Sequence, residues 1–190
     1  AERGHRTRAA THGRVIRDWE PSRKGLLESW NLSDAGGAAG WNLVGIGLED
    51  QPTGPGAFAI APDGDRLLLG IYPSGIYSHL RSDKLAARLT SPDIDLATES
   101  EFWLRVLGDG QATARYVVHD YPRRGTVYPV TQLKPRWKWE RFDLSYWTGD
   151  SIHLEVTTSK DAPLLVNQPE RSWFGVTDVR LVKKGSAAPR

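Results

Sequence analysis

The stretch Trp137-Lys138-Trp139-Glu140-Arg141-Phe142-Asp143-Leu144-Ser145-Tyr146-Trp147-Thr148-Gly149-Asp150 leads into Ile152-His153-Leu154-Glu155-Val156. The pattern returns at Trp173-Phe174-Gly175-Val176-Thr177-Asp178-Val179-Arg180-Leu181. Each run alternates apolar with polar residues, as half-buried antiparallel strands do. An Asp-Leu-Ser corner and Gly149 separate the first two runs, so the passage reads as strand, turn, strand, with one further strand closing the domain.

The same rhythm extends toward the N-terminus. Strands are expected at Arg66–Tyr72, Phe102–Leu107, Ala112–His119, Thr126–Val130, Trp137–Phe142, Ile152–Thr157 and Gly175–Val182. Nineteen Gly and twelve Pro supply turns between them. Helical periodicity is scarce. Ser82–Leu89 is the one short candidate, and Ala86-Ala87-Arg88-Leu89-Thr90 before Ser91-Pro92 reads better as a strand ending at a turn. Many short strands with no strand–helix–strand alternation argue for an all-β fold, a two-sheet antiparallel β-sandwich of jelly-roll type.

The bulk numbers set further bounds. A chain of 190 residues that is 39% hydrophobic has enough apolar side chains for one core. Without cysteine there is no disulfide, thiolate metal site or cysteine nucleophile. Methionine is absent even at position 1, so we expect a fragment or processed form of a longer protein. No apolar run approaches the ~20 residues of a membrane helix, and no membrane insertion is expected.

Charge is distributed unevenly. The first seventeen residues carry five Arg and one Glu, and the segment from Arg180 onward carries four basic residues and no acid. Between positions 18 and 179 there remain 16 basic and 22 acidic residues, a net of −6. An acidic body with basic ends is the reverse of a nucleic-acid-binding domain, and no nucleic-acid partner is expected. Residues 1–13 read as a disordered basic tail, 14–183 as the jelly-roll module, and 184–190 as a linker or tail.

Four passages, in order, resemble jelly-roll carbohydrate-binding modules of the galactose-binding-like kind. They are Val15-Ile16-Arg17-Asp18-Trp19-Glu20, Gly40-Trp41, Leu85–Leu96 with its Ser91-Pro92, and Val176-Thr177-Asp178-Val179-Arg180-Leu181. A narrower resemblance joins Trp137-x-Trp139, Asp143-Leu144-Ser145-x-Trp147-x-Gly149, Glu155, Trp173-Phe174-Gly175 and Val117-Val118-His119-Asp120-Tyr121. This set is similar to the β-sandwich domain of large exported planctomycete multidomain proteins with cytochrome c-like domains. The resemblance implies a secreted, periplasmic or cell-surface module that handles polysaccharide beside other domains of its parent protein. It also implies a structural Ca²⁺ held by Glu20 and Asp178, because calcium needs several oxygen ligands. Glu20 paired with a nearby Arg or Lys is the alternative.

Eight tryptophans supply flat apolar rings of the kind that stack on the C–H face of a pyranose. Trp137 and Trp139 are two apart and share a strand face, about 6.6 Å from each other, with Arg141 on the same parity and Phe142 on the core side. Either they form a two-ring platform near Lys138 or Arg141, or the strand bulges and one ring fills the core. Trp103, Arg105, Arg115, His119 and Tyr121 are grouped as candidates for one concave sheet face. The alternative is a mixed surface whose long side chains cover apolar area. Arg123 and Tyr128, with Tyr121, sit in a loop suited to anionic sugars or simply solvated. Trp19, Trp30, Trp41, Trp147 and Trp173 are assigned to structure.

No phosphate loop, HExxH or GxSxG motif appears. His79, His119 and His153 are the residues that would join carboxylates in a jelly-roll lyase or hydrolase, while carboxylate pairs such as Asp93/Asp95 read as turn or strand-end residues. The sequence therefore favours a noncatalytic polysaccharide- or oligosaccharide-binding module. Two alternatives stay open: a structural or interaction domain without a sugar site, and a jelly-roll polysaccharide-degrading enzyme.

Overall fold

Strand after strand, residues of alternating parity are buried and half-exposed, and this alternation separates a core face from an outer face in each sheet. The computed structural model describes residues 24–60, 67–119, 130–158 and 171–189. Thirteen strands run through them: β1 (Leu26–Asn31), β2 (Asn42–Val44), β3 (Ala57–Ile60), β4 (Leu68–Tyr72), β5 (Ile76–Tyr77), β6 (Arg88–Thr90), β7 (Ile94–Asp95), β8 (Ser100–Asp109), β9 (Thr113–Val118), β10 (Val130–Gln132), β11 (Lys138–Asp143), β12 (Ser151–Thr157) and β13 (Trp173–Lys183). A short 3-10 helix covers Ser145–Trp147.

The first sheet has the order β1-β13-β8-β11, with β5 also paired to β13. The second has the order β10-β9-β12-β6-β2, with β7 also paired to β12. Every ladder is antiparallel. The fold is a two-sheet antiparallel β-sandwich of the jelly-roll class, with the β3–β4 hairpin as a separate ribbon.

The core lies between the two sheets. Trp30, Phe102, Leu104, Val106, Phe142, Val176, Val179 and Leu181 come from the first; Leu89, Ala114, Tyr116, Val118, Ile152, Leu154 and Val156 come from the second. Phe142 faces Phe102 across the β11–β8 ladder, on the core side as its parity requires. In β13 the register shifts between Val176 and Asp178. This bulge inserts one residue, so Trp173 and Gly175 before it face the same way as Asp178 and Arg180 after it.

The Asp-Leu-Ser corner is a built turn. Asp143 Oδ1 accepts from Ser145 N at 3.0 Å and from Ser145 Oγ at 2.6 Å, which starts the 3-10 helix. Trp147 packs against the core, and its Nε1 donates to the Tyr116 hydroxyl at 3.1 Å. Trp30, Trp41 and Trp173 are buried, in keeping with their structural assignment; Trp19 lies outside the described residues. Of the segment read as a tail, Lys184 N bonds the Glu99 carbonyl and Gly185 N bonds Glu101 Oε1.

Candidate functional site

The outer face of the first sheet divides into an open half and a covered half. Cross-strand register places Trp103, Arg105, Trp139, Arg141, Asp178 and Arg180 together on it. Arg105 is opposite Trp139 on one side and Asp178 on the other, and Trp103 is opposite Arg141 and Arg180. Directly paired residues point to the same face, so all six share this surface. Trp103, Trp137 and Trp139 are all half-buried, and neither ring of the Trp137/Trp139 pair enters the sandwich core.

Arginines lie against the rings. The Arg180 guanidinium carbon is 4.8 Å from the Trp139 ring centroid, and that of Arg105 is 5.6 Å from the Trp137 ring. Both fall within cation–π range. Arg180 grips Asp178 through two bonds, Nε to Oδ1 at 3.2 Å and Nη2 to Oδ2 at 2.9 Å. Arg141 Nη2 donates to Glu101 Oε1 at 2.7 Å, and Trp103 Nε1 donates to Glu101 Oε2 at 3.2 Å. Lys138, which the sequence placed near the platform, has the opposite parity, opposite Val106, and pairs with Glu140.

The other half of this face lies under the β3–β4 hairpin. Ala59 and Tyr72 from the hairpin pack with Tyr77, Leu107 and Trp173 from the sheet, and Trp137 closes the edge of the cluster. His79 is stacked on Trp173, with ring centroids 3.9 Å apart, and meets Tyr72 edge-on at 4.9 Å. It is 2% exposed, with both ring nitrogens buried and only a weak approach to the Phe174 backbone. Burial pushes its pKa down to about 3, so the ring is neutral. Beyond Leu107 this side of the sheet ends in a cleft of about 530 Å³, lined by Tyr72, Asp83, Leu107, Asp109, Arg171 and Trp173 among others.

Arg115 and His119 are not on this surface. Arg115 is opposite Glu155 in the β12–β9 ladder, on the outer face of the second sheet. The sandwich therefore separates them from Trp103 and Arg105, and the single concave face expected from sequence is corrected. Each strand alternates as read, but β8 and β9 enter different sheets, a fact their separate patterns do not encode. Arg115 is also occupied: its Nε and Nη2 meet Glu155 Oε2 at 2.7 and 2.6 Å. Glu155 is 5% exposed. Burial alone raises its carboxyl, yet the bond from His153 and the charges of Arg115 and Arg88 bring it down to about 2. His119, at φ 48°, holds Asp150 Oδ1 at 2.7 Å through Nε2.

Tyr121, Arg123, Tyr128 and Glu20 lie outside the described residues. Both oxygens of Asp178, the other expected calcium ligand, accept from Arg180. Among the described residues no group of three or more His, Asp or Glu is placed to hold a metal.

Sequence reasoning missed Arg180 as a partner of Trp139, and Tyr72, Tyr77 and His79 as the cluster that supports Trp137. Arg180 was visible as an outward residue of the last strand, but nothing in the chain announces that β13 lies two strands from β11. Tyr77 ends, and His79 follows, a two-residue strand too short for a period to show.

No family model matches the chain. No curated protein matches it. Among solved structures, it is similar to TmCBM61 in complex with β-1,4-galactotriose, at 16% identity over 77% of this chain and 90% of that one, with a TM-score of 0.45. It is similar to the K1 cleaved adhesin domain of Lys-gingipain from Porphyromonas gingivalis W83, at 12% identity over 83% and 98%, with a TM-score of 0.44. The mannan-recognising carbohydrate-binding module TmCBM27 is similar at 13% identity over 84% and 97%, with a TM-score of 0.38. These scores are too low to assign a ligand or a role to this chain.

Proposed function

We propose that the domain is a noncatalytic carbohydrate-binding module whose open outer face, on the first sheet, takes a polysaccharide or oligosaccharide. The observation that carries this reading is the grouping of Trp103, Trp137 and Trp139, all half-buried, on one face with Arg105, Arg141 and Arg180 among them. Indole rings offer flat apolar area for a sugar ring, and guanidinium N–H groups donate to hydroxyls and ring substituents. Along β8 the open half of the face carries Trp103 and Arg105, about 6.6 Å apart, flanked by Trp139 and Arg180 on the neighbouring strands; Leu107 beyond them is covered by the hairpin.

The reading is noncatalytic because the polar groups beside the rings do not shuttle protons. Guanidinium stays charged at ordinary pH. The two nearby carboxylates, Glu101 and Asp178, are each held by an arginine. A glycan array probed with the wild type and with Trp139→Ala tests this. Binding to at least one glycan that the variant loses supports it; no binding to any glycan, neutral or charged, rejects it.

A second reading, an interaction domain that packs against other domains of a parent protein, is favoured by the β3–β4 hairpin. Phe58 pairs with Ile71 and Ile60 with Leu68 on the hairpin's outward face, and Phe58 is 54% and Ile71 69% exposed. Apolar residues on both faces of one ribbon mark a contact surface. The hairpin face and the tryptophan face are different surfaces, so one domain has room for both roles.

A further inference from the structure

The three arginines on the open face are not equivalent. Arg180 is committed to Asp178 and Arg141 to Glu101. Arg105 lies between them, half-buried, opposite Trp139 and within reach of the Trp137 ring. Among the described residues it makes no ion pair and no hydrogen bond; its guanidinium lies against the Trp137 ring. Asp178 stands opposite Arg105, but both oxygens of that carboxylate accept from Arg180, so the half-buried Arg105 guanidinium keeps donors that a bound anion can satisfy.

We propose that this face is built for an anionic polysaccharide, with Arg105 reading a carboxylate or sulfate on a sugar whose ring lies on the neighbouring indoles. The inference rests on the carbohydrate-binding reading above and narrows it to a ligand class. A planar guanidinium with its donors in a fixed fork matches carboxylate or sulfate oxygens. A platform for neutral sugar does not require a guanidinium with uncommitted donors at its centre. The surroundings make the feature more telling. Residues 18–179 carry a net charge of −6 and repel polyanions at long range. On the open face itself, Arg180 is paired with Asp178 and Arg141 with Glu101, and Arg105 is the arginine there without an ion pair.

Titration of the full chain with polygalacturonate, dextran sulfate and a neutral β-1,4-galactan, by calorimetry at low and high salt, tests the inference. Arg105→Gln, Arg105→Lys and Trp139→Ala are titrated alongside, with thermal melts to verify folding. The expected result is salt-sensitive binding of an anionic polymer that falls about tenfold or more in Arg105→Gln, is partly kept in Arg105→Lys, and is lost in Trp139→Ala. Binding of polygalacturonate alone identifies a uronate site, and binding of dextran sulfate alone a sulfate-ester site. Anionic binding that survives Arg105→Gln is attraction to the basic ends and overturns the inference. Galactan binding lost in Trp139→Ala but unchanged in Arg105→Gln overturns it too, while leaving the carbohydrate-binding reading standing. Failure of all three polymers to bind the wild type overturns the inference, and a glycan array without any hit removes the parent reading as well.

Discussion

The Arg180 guanidinium lies 4.8 Å over the Trp139 ring, reaching past β8 from a strand that does not touch β11. Its bidentate hold on Asp178 fixes the guanidinium in place, and the guanidinium in turn backs the indole. Trp139 is thus a supported ring on the surface rather than a loose one. Trp139→Ala is expected to lower glycan affinity at least tenfold while the melting temperature stays within a few degrees of wild type. Calorimetric titration beside a thermal melt checks both parts.

Glu155 makes acid stability measurable. Its folded pKa of about 2 lies below its ordinary value of 4.5, so the unfolded chain binds the extra proton between those limits. The stabilisation is complete above pH 4.5 and is lost as pH falls toward 2, with a slope of up to ~1.4 kcal/mol per pH unit. Glu155→Gln leaves Arg115 and Arg88 facing a neutral group and costs about 3–5 kcal/mol at neutral pH. Denaturant melts of the variant are expected to lack the Glu155 share of the slope below pH 4.5.

His79 acts in a higher window. Its folded pKa of about 3 lies below the ordinary 6.5, so protonation favours the unfolded chain. Its contribution is intact above pH 6.5 and erodes as pH falls from 6.5 toward 3. Between pH 6.5 and 4.5 this slope precedes that of Glu155. His79→Phe keeps a flat ring on Trp173 and is expected to remove the loss in that interval. Urea melts at several pH values, wild type against variant, read the difference directly.

Gly175 ties the covered half of the face together. A Cβ there meets the Tyr77 ring at 2.5 Å and Leu107 Cδ2 at 2.7 Å. Gly175→Ala forces Tyr77 away from Tyr72 and is expected to cost about 1–3 kcal/mol. The loss is read in denaturant midpoints, and Trp137, which meets Tyr77 edge-on at 6.3 Å, is expected to change its fluorescence.

The long strands were legible because their alternation is strong. The expected 102–107, 112–119, 137–142, 152–157 and 175–182 correspond to β8, β9, β11, β12 and β13, with ends shifted by one or two residues. The β2, β5 and β7 strands are two or three residues each, too short for any period to register. β1 was missed for another reason: Leu27 is exposed within Leu-Leu-Glu-Ser-Trp-Asn, and a register shift between Leu26 and Glu28 breaks the alternation. At the site, the shared face of Trp137, Trp139 and Arg141 followed from spacing alone. Joining Arg115 and His119 to Trp103 did not, because alternation along a strand says nothing about which sheet the strand joins. The bulge at Thr177 is likewise invisible in Val176-Thr177-Asp178, yet it brings Arg180 onto the tryptophan face.

Indole N–H resonances test the central claim most directly. In a nitrogen–proton correlation spectrum the eight tryptophans give separate side-chain signals, assigned by single substitutions. On titration with a bound glycan, the signals of Trp103, Trp137 and Trp139 are expected to shift together, while those of buried Trp30 and Trp41 stay in place. A glycan that moves none of the first three, or that perturbs only residues around Arg115 and Glu155 on the second sheet, would contradict the account.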